Sequence, residues 1–183
     1  MGRTETEVRQ ASGHVKYEID MLRATMSYLS KSAGQGDKVE WDVHLESFAL
    51  HVRNLIDFFY TPPKDDDIVA EYYVSDVGRW NAERPAVTSS LLDAKRNANK
   101  RIAHLTFGRL VADPGWAWET IRAELQPVME CFLSHLPAER GAWFAGSGLE
   151  EPSGPTGVSS PPEARGWTGP PGPHDPEKAK TSE

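Results

Sequence analysis

The chain has 183 residues, 38% of them hydrophobic, with a formal net charge of −7 and a single cysteine, Cys131. The acidic balance argues against a general affinity for nucleic-acid backbones, which demands a concentrated basic surface, while leaving a local basic site for RNA or a nucleotide open, and it weakens a membrane-surface role. One thiol excludes an internal disulfide or a multi-cysteine metal cage, and no apolar run approaches the ~20 residues of a membrane span.

Length and composition suit one domain with a tail, in a cytoplasmic protein. Gly2 and Thr6 fit a myristoylation pattern loosely, but an ordinary polar N-terminus describes this region better. Residues 4–30 read as a first helix, in which Val8, Val15, Ile19, Leu22, Met26 and Leu29 form an apolar stripe. Glu5 and Glu7 suit the positive end of its dipole. The run SAGQGD, residues 32–37, breaks the pattern, and so short a link predicts an antiparallel pair with the next helix. Residues 40–60 carry Trp41, Leu45, Phe48, Val52, Leu55 and Phe59 at alternating spacings of four and three. Val43, Leu50 and Phe58 fall outside that face, which predicts a central helix buried on most sides.

TPPKDDD, residues 61–67, stops this helix with two prolines. Its adjacent carboxylates lack calcium-loop spacing, so a solvated turn is expected. A short helix is predicted over residues 66–74, then irregular chain as far as Pro85. Thr88 or Ser89 caps a helix expected to reach about Leu110, with Leu91, Leu92, Ala94, Ala98, Ile102 and Leu105 as its narrower stripe. Asp113 and Pro114 read as the start of the last helix. Its face is Trp118, Ile121, Leu125, Val128, Phe132 and Leu136, Pro127 predicts a kink, and Cys131 fits as a small core residue. From Ala145 onward Gly and Pro supply more than a third of the residues, too little apolar surface to offset ordering entropy. The expectation is all-α: an antiparallel bundle of four main helices plus a short helix over residues 4–136, then a disordered Pro/Gly-rich tail over 137–183.

The cluster that suggests chemistry is KRNANKRIAHLT, residues 95–106. On a helix Asn97, Arg101 and His104 stand at i, i+4 and i+7 and share a face, and Arg96, Lys100 and His104 form the adjoining line. An imidazole handles protons while a guanidinium holds phosphate, the pairing that metal-free RNA cleavage needs. The plainer reading is a solvated cationic face with a packing histidine. On the central helix Glu46, Arg53 and Asp57 form a polar stripe, in which Arg53 and Asp57 can pair at i, i+4. If that stripe faces the cationic helix, a carboxylate would orient Arg101 or His104. His44 and His51 are seven apart, roughly 10 Å along a helix and too far for one metal ion alone. A metal-binding bundle using His44, His51 or His104 is the third reading, and no cofactor is expected.

RNLIDFF, residues 53–59, and NKRIAHLT, residues 99–106, resemble the paired helices of HEPN-type domains. The resemblance implies an all-α, often dimeric domain, many of whose members are ribonucleases of toxin or defence systems. Their motif is an Arg, often followed by Asn, then four to six residues and a His. Carried over, it falls on Arg96, Asn97 and His104, but seven residues separate Arg96 from His104. That departure favours a non-catalytic module binding a protein partner, a second copy or a nucleotide, with Arg53, Asp57, Glu46 and Lys100 in binding roles. The alternative is a metal-independent ribonuclease using His104 with Arg96 or Arg101.

Overall fold

The computed structural model describes residues 3–32, 37–64, 66–104, 106–107 and 116–147. Helix α1, Glu5–Lys31, begins where Thr4 closes a capping box: its hydroxyl accepts from the Glu7 N–H, and the Glu7 carboxylate accepts from the Thr4 N–H at 2.7 Å. The predicted α1 stripe is buried throughout. Helix α2, Lys38–Tyr60, is capped by the Asp37 side chain. Tyr28 stacks on His44 near the close of α1, while Glu18 further back bonds His51, so α1 and α2 run antiparallel.

A 3-10 turn at Ala70–Tyr72 leads to helix α3, Val77–Glu83. The short helix therefore forms at 77–83, where an irregular stretch was expected, and not over 66–74. Asp76 caps it by accepting from the Arg79 N–H, and the fully buried Trp80 anchors it. Helix α4, Ser89–Asn97, is capped by Thr88. It does not continue as an α-helix to residue 110. The backbone widens into π-helical turns at Ala98–Ala103, and His104 is extended (φ −127°, ψ 142°). Helix α5, Trp118–His135, carries Pro127 in its interior; Leu105, Asp113 and Pro114 lie outside the described residues. Helix α6, Ala138–Gly141, and a 3-10 turn at Ala142–Phe144 carry helical structure past the expected boundary at 136. Residues 148–183, most of the expected tail, lie outside the described residues.

Helix α4 lies antiparallel to α2, since Tyr60 bonds the Pro85 carbonyl and Asp57 pairs with Lys95. Helix α5 runs parallel to α2, with Trp118 on Trp41 at one end and Phe132 on Phe59 at the other. The four principal helices thus alternate in direction, and among the described residues there is no strand. The fold is all-α.

Phe132 sits at the centre of the core, edge-on to Phe58 and Phe144, each 5.3 Å away between centroids, with Tyr73 and Trp80 around it. Arg140 fastens the end of the described chain to this core. It donates to the Tyr72 and Tyr73 carbonyls at 2.8 and 3.0 Å and pairs with Glu5 at 2.5 Å.

Helix α2 is less enclosed than its sequence predicts, because Val43 and Leu50 are 58% and 37% exposed. Helix α1 covers one flank, α4 and the π turns cover the other, and the strip between them stays open. Among the described residues no helix is long and apolar enough to cross a membrane.

Candidate functional site

The cationic segment divides at the point where the helix changes pitch. Arg96 is on the last turn of α4, exposed, and its guanidinium bonds Asp93. Asn97 is half-buried at the α4 terminus. Lys100 and Arg101 ride on the π turns, Lys100 exposed and Arg101 half-buried. Wider turns advance the side chains less per residue than an α-helix does. The extended backbone at His104 then takes this exposed residue off the helix altogether. The i, i+4, i+7 face of Asn97, Arg101 and His104 needs one unbroken α-helix, and that helix does not form. Thr106 folds back to donate to the Lys100 carbonyl at 2.6 Å, closing the segment.

The α2 stripe also separates. Glu46 is exposed on the open strip of the helix. Asp57 accepts from Lys95 of α4 and from the Thr61 hydroxyl at 2.8 Å, so its partners lie outside its own helix. Arg53 is half-buried, and its Nε is buried with no hydrogen-bond partner among the described residues. Arg53 and Asp57 together line a groove of about 380 Å³, closed by Thr61, Lys64, Asp67 and Val69 of the following loop. Pro62 and Pro63 restrict the backbone leading to Lys64, which borders this groove. The lining is balanced in formal charge, Arg53 and Lys64 against Asp57 and Asp67, with Lys95 paired to Asp57 from α4.

His44 and His51, the other two histidines weighed as metal ligands, each have partners. His44 stacks on Tyr28 with ring centroids 3.6 Å apart, its Nδ1 2.9 Å from the Glu40 carbonyl oxygen. His51 is buried and donates through Nδ1 to the Glu18 carboxylate at 2.6 Å, which Asn54 also contacts at 3.1 Å. Burial pushes the Glu18 carboxyl up, but the hydrogen bonds from His51 and Asn54 outweigh it and hold it below its ordinary range. This dyad clamps α1 to α2. Among the described residues no group of three His, Cys, Asp or Glu side chains is arranged to hold a metal ion.

One constellation went unread in the sequence. Cys131 Sγ lies 3.7 Å from Nδ1 of His135, whose Nε2 lies 3.2 Å from a Glu83 carboxylate oxygen. The order thiol, imidazole, carboxylate matches that of an activated nucleophile. However, Nδ1 donates to the Cys131 carbonyl at 2.7 Å, which commits its proton, and burial pushes the thiol up. A protonated thiol beside a committed imidazole is a packing arrangement. The Cys131–His135 pair was legible at i, i+4, whereas Glu83 arrives from α3, which the sequence did not reveal as a helix. Comparison with protein-family models, curated proteins and solved structures returns no match to this chain.

Proposed function

We propose that the chain is a HEPN-like, non-catalytic helical-bundle module that binds a second copy of itself through the open strip of α2 and the cationic turns beside it. The observation that carries this reading is the apolar stripe Val39, Val43 and Leu50, at positions that share one helix face and remain exposed. Beside it Met21, Ala24 and Ser47 join Val43 around a socket of about 200 Å³. Phe107, 90% exposed, offers an apolar side chain for such a socket.

Charge favours a second copy over an unrelated partner. Glu46 is exposed on the open strip, while Arg96 and Lys100 are exposed on the neighbouring segment. A two-fold axis between the two elements sets each acidic strip against the other copy's cations, the self-complementary pattern of a closed dimer.

Light scattering of the full chain over a concentration series tests this. The expected result is a dimer that Val43→Glu dissociates and Phe107→Ala weakens, with each variant still unfolding cooperatively, at a midpoint that no longer rises with concentration for Val43→Glu. Glu46→Lys should weaken it, and Lys100→Glu added to that variant should restore it. A monomer at every concentration, or a dimer indifferent to Val43→Glu, overturns the proposal. Cleavage of RNA in chelator, abolished by His104→Ala at unchanged thermal stability, would favour the ribonuclease alternative instead.

A further inference from the structure

Two adjoining hollows lie where α1 meets the loop that follows α2. One, of about 340 Å³, has Val8, Ala11, Ile68 and Tyr72 in its lining. The other, of about 170 Å³, is walled by Val15, Leu55 and Phe58. His14 and Ile68 border both, so the two join into one groove with a largely hydrocarbon lining. Ile68 stands at its lip, 38% exposed. The charge along this groove is one-sided. Glu7, Asp66 and Asp67 border the larger hollow and Glu18 the smaller, against a single permanent cation, Arg3. Glu7 already caps Thr4 and lies 3.9 Å from Arg3, and Glu18 holds His51 and Asn54. Asp66 and Asp67 have no ion pair and no side-chain hydrogen bond among the described residues. Arg53 and Lys64 line the neighbouring groove with Asp67, yet neither comes within ion-pair distance of it.

Uncommitted carboxylates beside an apolar wall are complementary to a cation that carries an apolar neighbour. We infer that this groove docks a basic segment of a partner protein, in which an arginine or lysine alternates with an apolar side chain. Asp66 and Asp67 take the guanidinium or ammonium through charge-assisted hydrogen bonds, and the half-buried Tyr72 ring offers a guanidinium a surface to stack on. Ile68 and Val8 receive the apolar neighbour. A metal ion is a poorer occupant, because among the described residues no three ligating side chains converge. A hydrophilic polyamine is poorer too, since it leaves the hydrocarbon lining uncovered. The groove shares no lining residue with the socket at Val43, so this surface and the proposed dimer stand or fall separately.

Fluorescence anisotropy of the full chain with a short labelled peptide of alternating arginine and leucine, at about 0.15 M salt to screen diffuse attraction, tests the inference. The peptide should bind at one site per chain, more tightly than spermine or the same peptide with serine in place of leucine. Asp66→Asn combined with Asp67→Asn should weaken it roughly 2- to 30-fold, the loss of two partly exposed charge pairs. Ile68→Ser, at the lip, should weaken it by about 5-fold or more. Glu130→Gln, which removes an exposed carboxylate on α5, and Val43→Glu should each leave it unchanged. Thermal unfolding of each variant checks that it remains folded. Absence of binding, binding indifferent to the double aspartate variant, or an equal loss with Glu130→Gln overturns the assignment. Spermine binding as tightly as the peptide overturns it in favour of a free polyamine. Loss of the light-scattering dimer in the double aspartate variant overturns it in favour of a second copy as the occupant.

Discussion

Replacing Phe144 with alanine tests whether the chain beyond α5 belongs to the core. Phe144 is 2% exposed and meets Phe132 and Tyr73 edge-on, at 5.3 and 5.4 Å between centroids. Removing a fully buried phenylalanine forfeits its transfer free energy and leaves a cavity, together about 3–5 kcal/mol. For a domain of this size each kcal/mol moves Tm by about 2–4 °C, so the midpoint should fall by roughly 6–20 °C. Urea unfolding followed by circular dichroism measures the change, with an unaltered slope showing that the two end states are preserved. Leu92→Ala serves as the exposed control and should stay within about 0.5 kcal/mol of the parent. A loss below about 1 kcal/mol for Phe144→Ala would mean that α6 and its 3-10 turn fray, and that the core ends with α5.

Glu18 predicts a pH dependence. Its folded carboxyl is held low, so the unfolded chain takes up the proton first, and the stabilisation is complete above about pH 5 and lost as pH falls through the folded value. Between about pH 5 and 3 the parent should therefore lose stability more steeply than Glu18→Gln, as read by urea midpoints. Tyr73→Phe removes a buried hydroxyl without a described partner and should be neutral or stabilising by up to about 1 kcal/mol. Because burial raises the Tyr73 phenol, the unfolded chain ionises first above about pH 10, and the parent should lose stability there that Tyr73→Phe retains. The Lys95–Asp57 pair, with about a third of each side chain exposed, should show a coupling of about 0–1 kcal/mol in a double-mutant cycle.

Helices α1 and α2 were legible because each repeats its apolar positions over many turns, long enough for period and face to emerge together. Helix α3 was not, because seven residues hold too few turns to establish a period. Its signals are one cap, Asp76, and one buried ring, Trp80, while the more apolar run before it buries Val69, Tyr73 and Val74 without forming an α-helix. The candidate site failed at a different level. Ala98 and Ile102 lie four apart, a spacing that α and π turns both tolerate, so periodicity could not register the change of pitch that decides where His104 goes. Arg53 was legible as a polar residue on an apolar helix. The groove it lines is closed by the loop that directly follows its own helix, from Thr61 to Val69, and helical periodicity does not encode the path of that loop.

The π turns at Ala98–Ala103 hold a surplus residue relative to an α-helix of the same span. Excising one residue there would let the backbone relax to ordinary pitch over the same span, leaving the direction of the chain that leaves it nearly unchanged. The same excision shortens the interval between Arg96 and His104 from seven intervening residues to six.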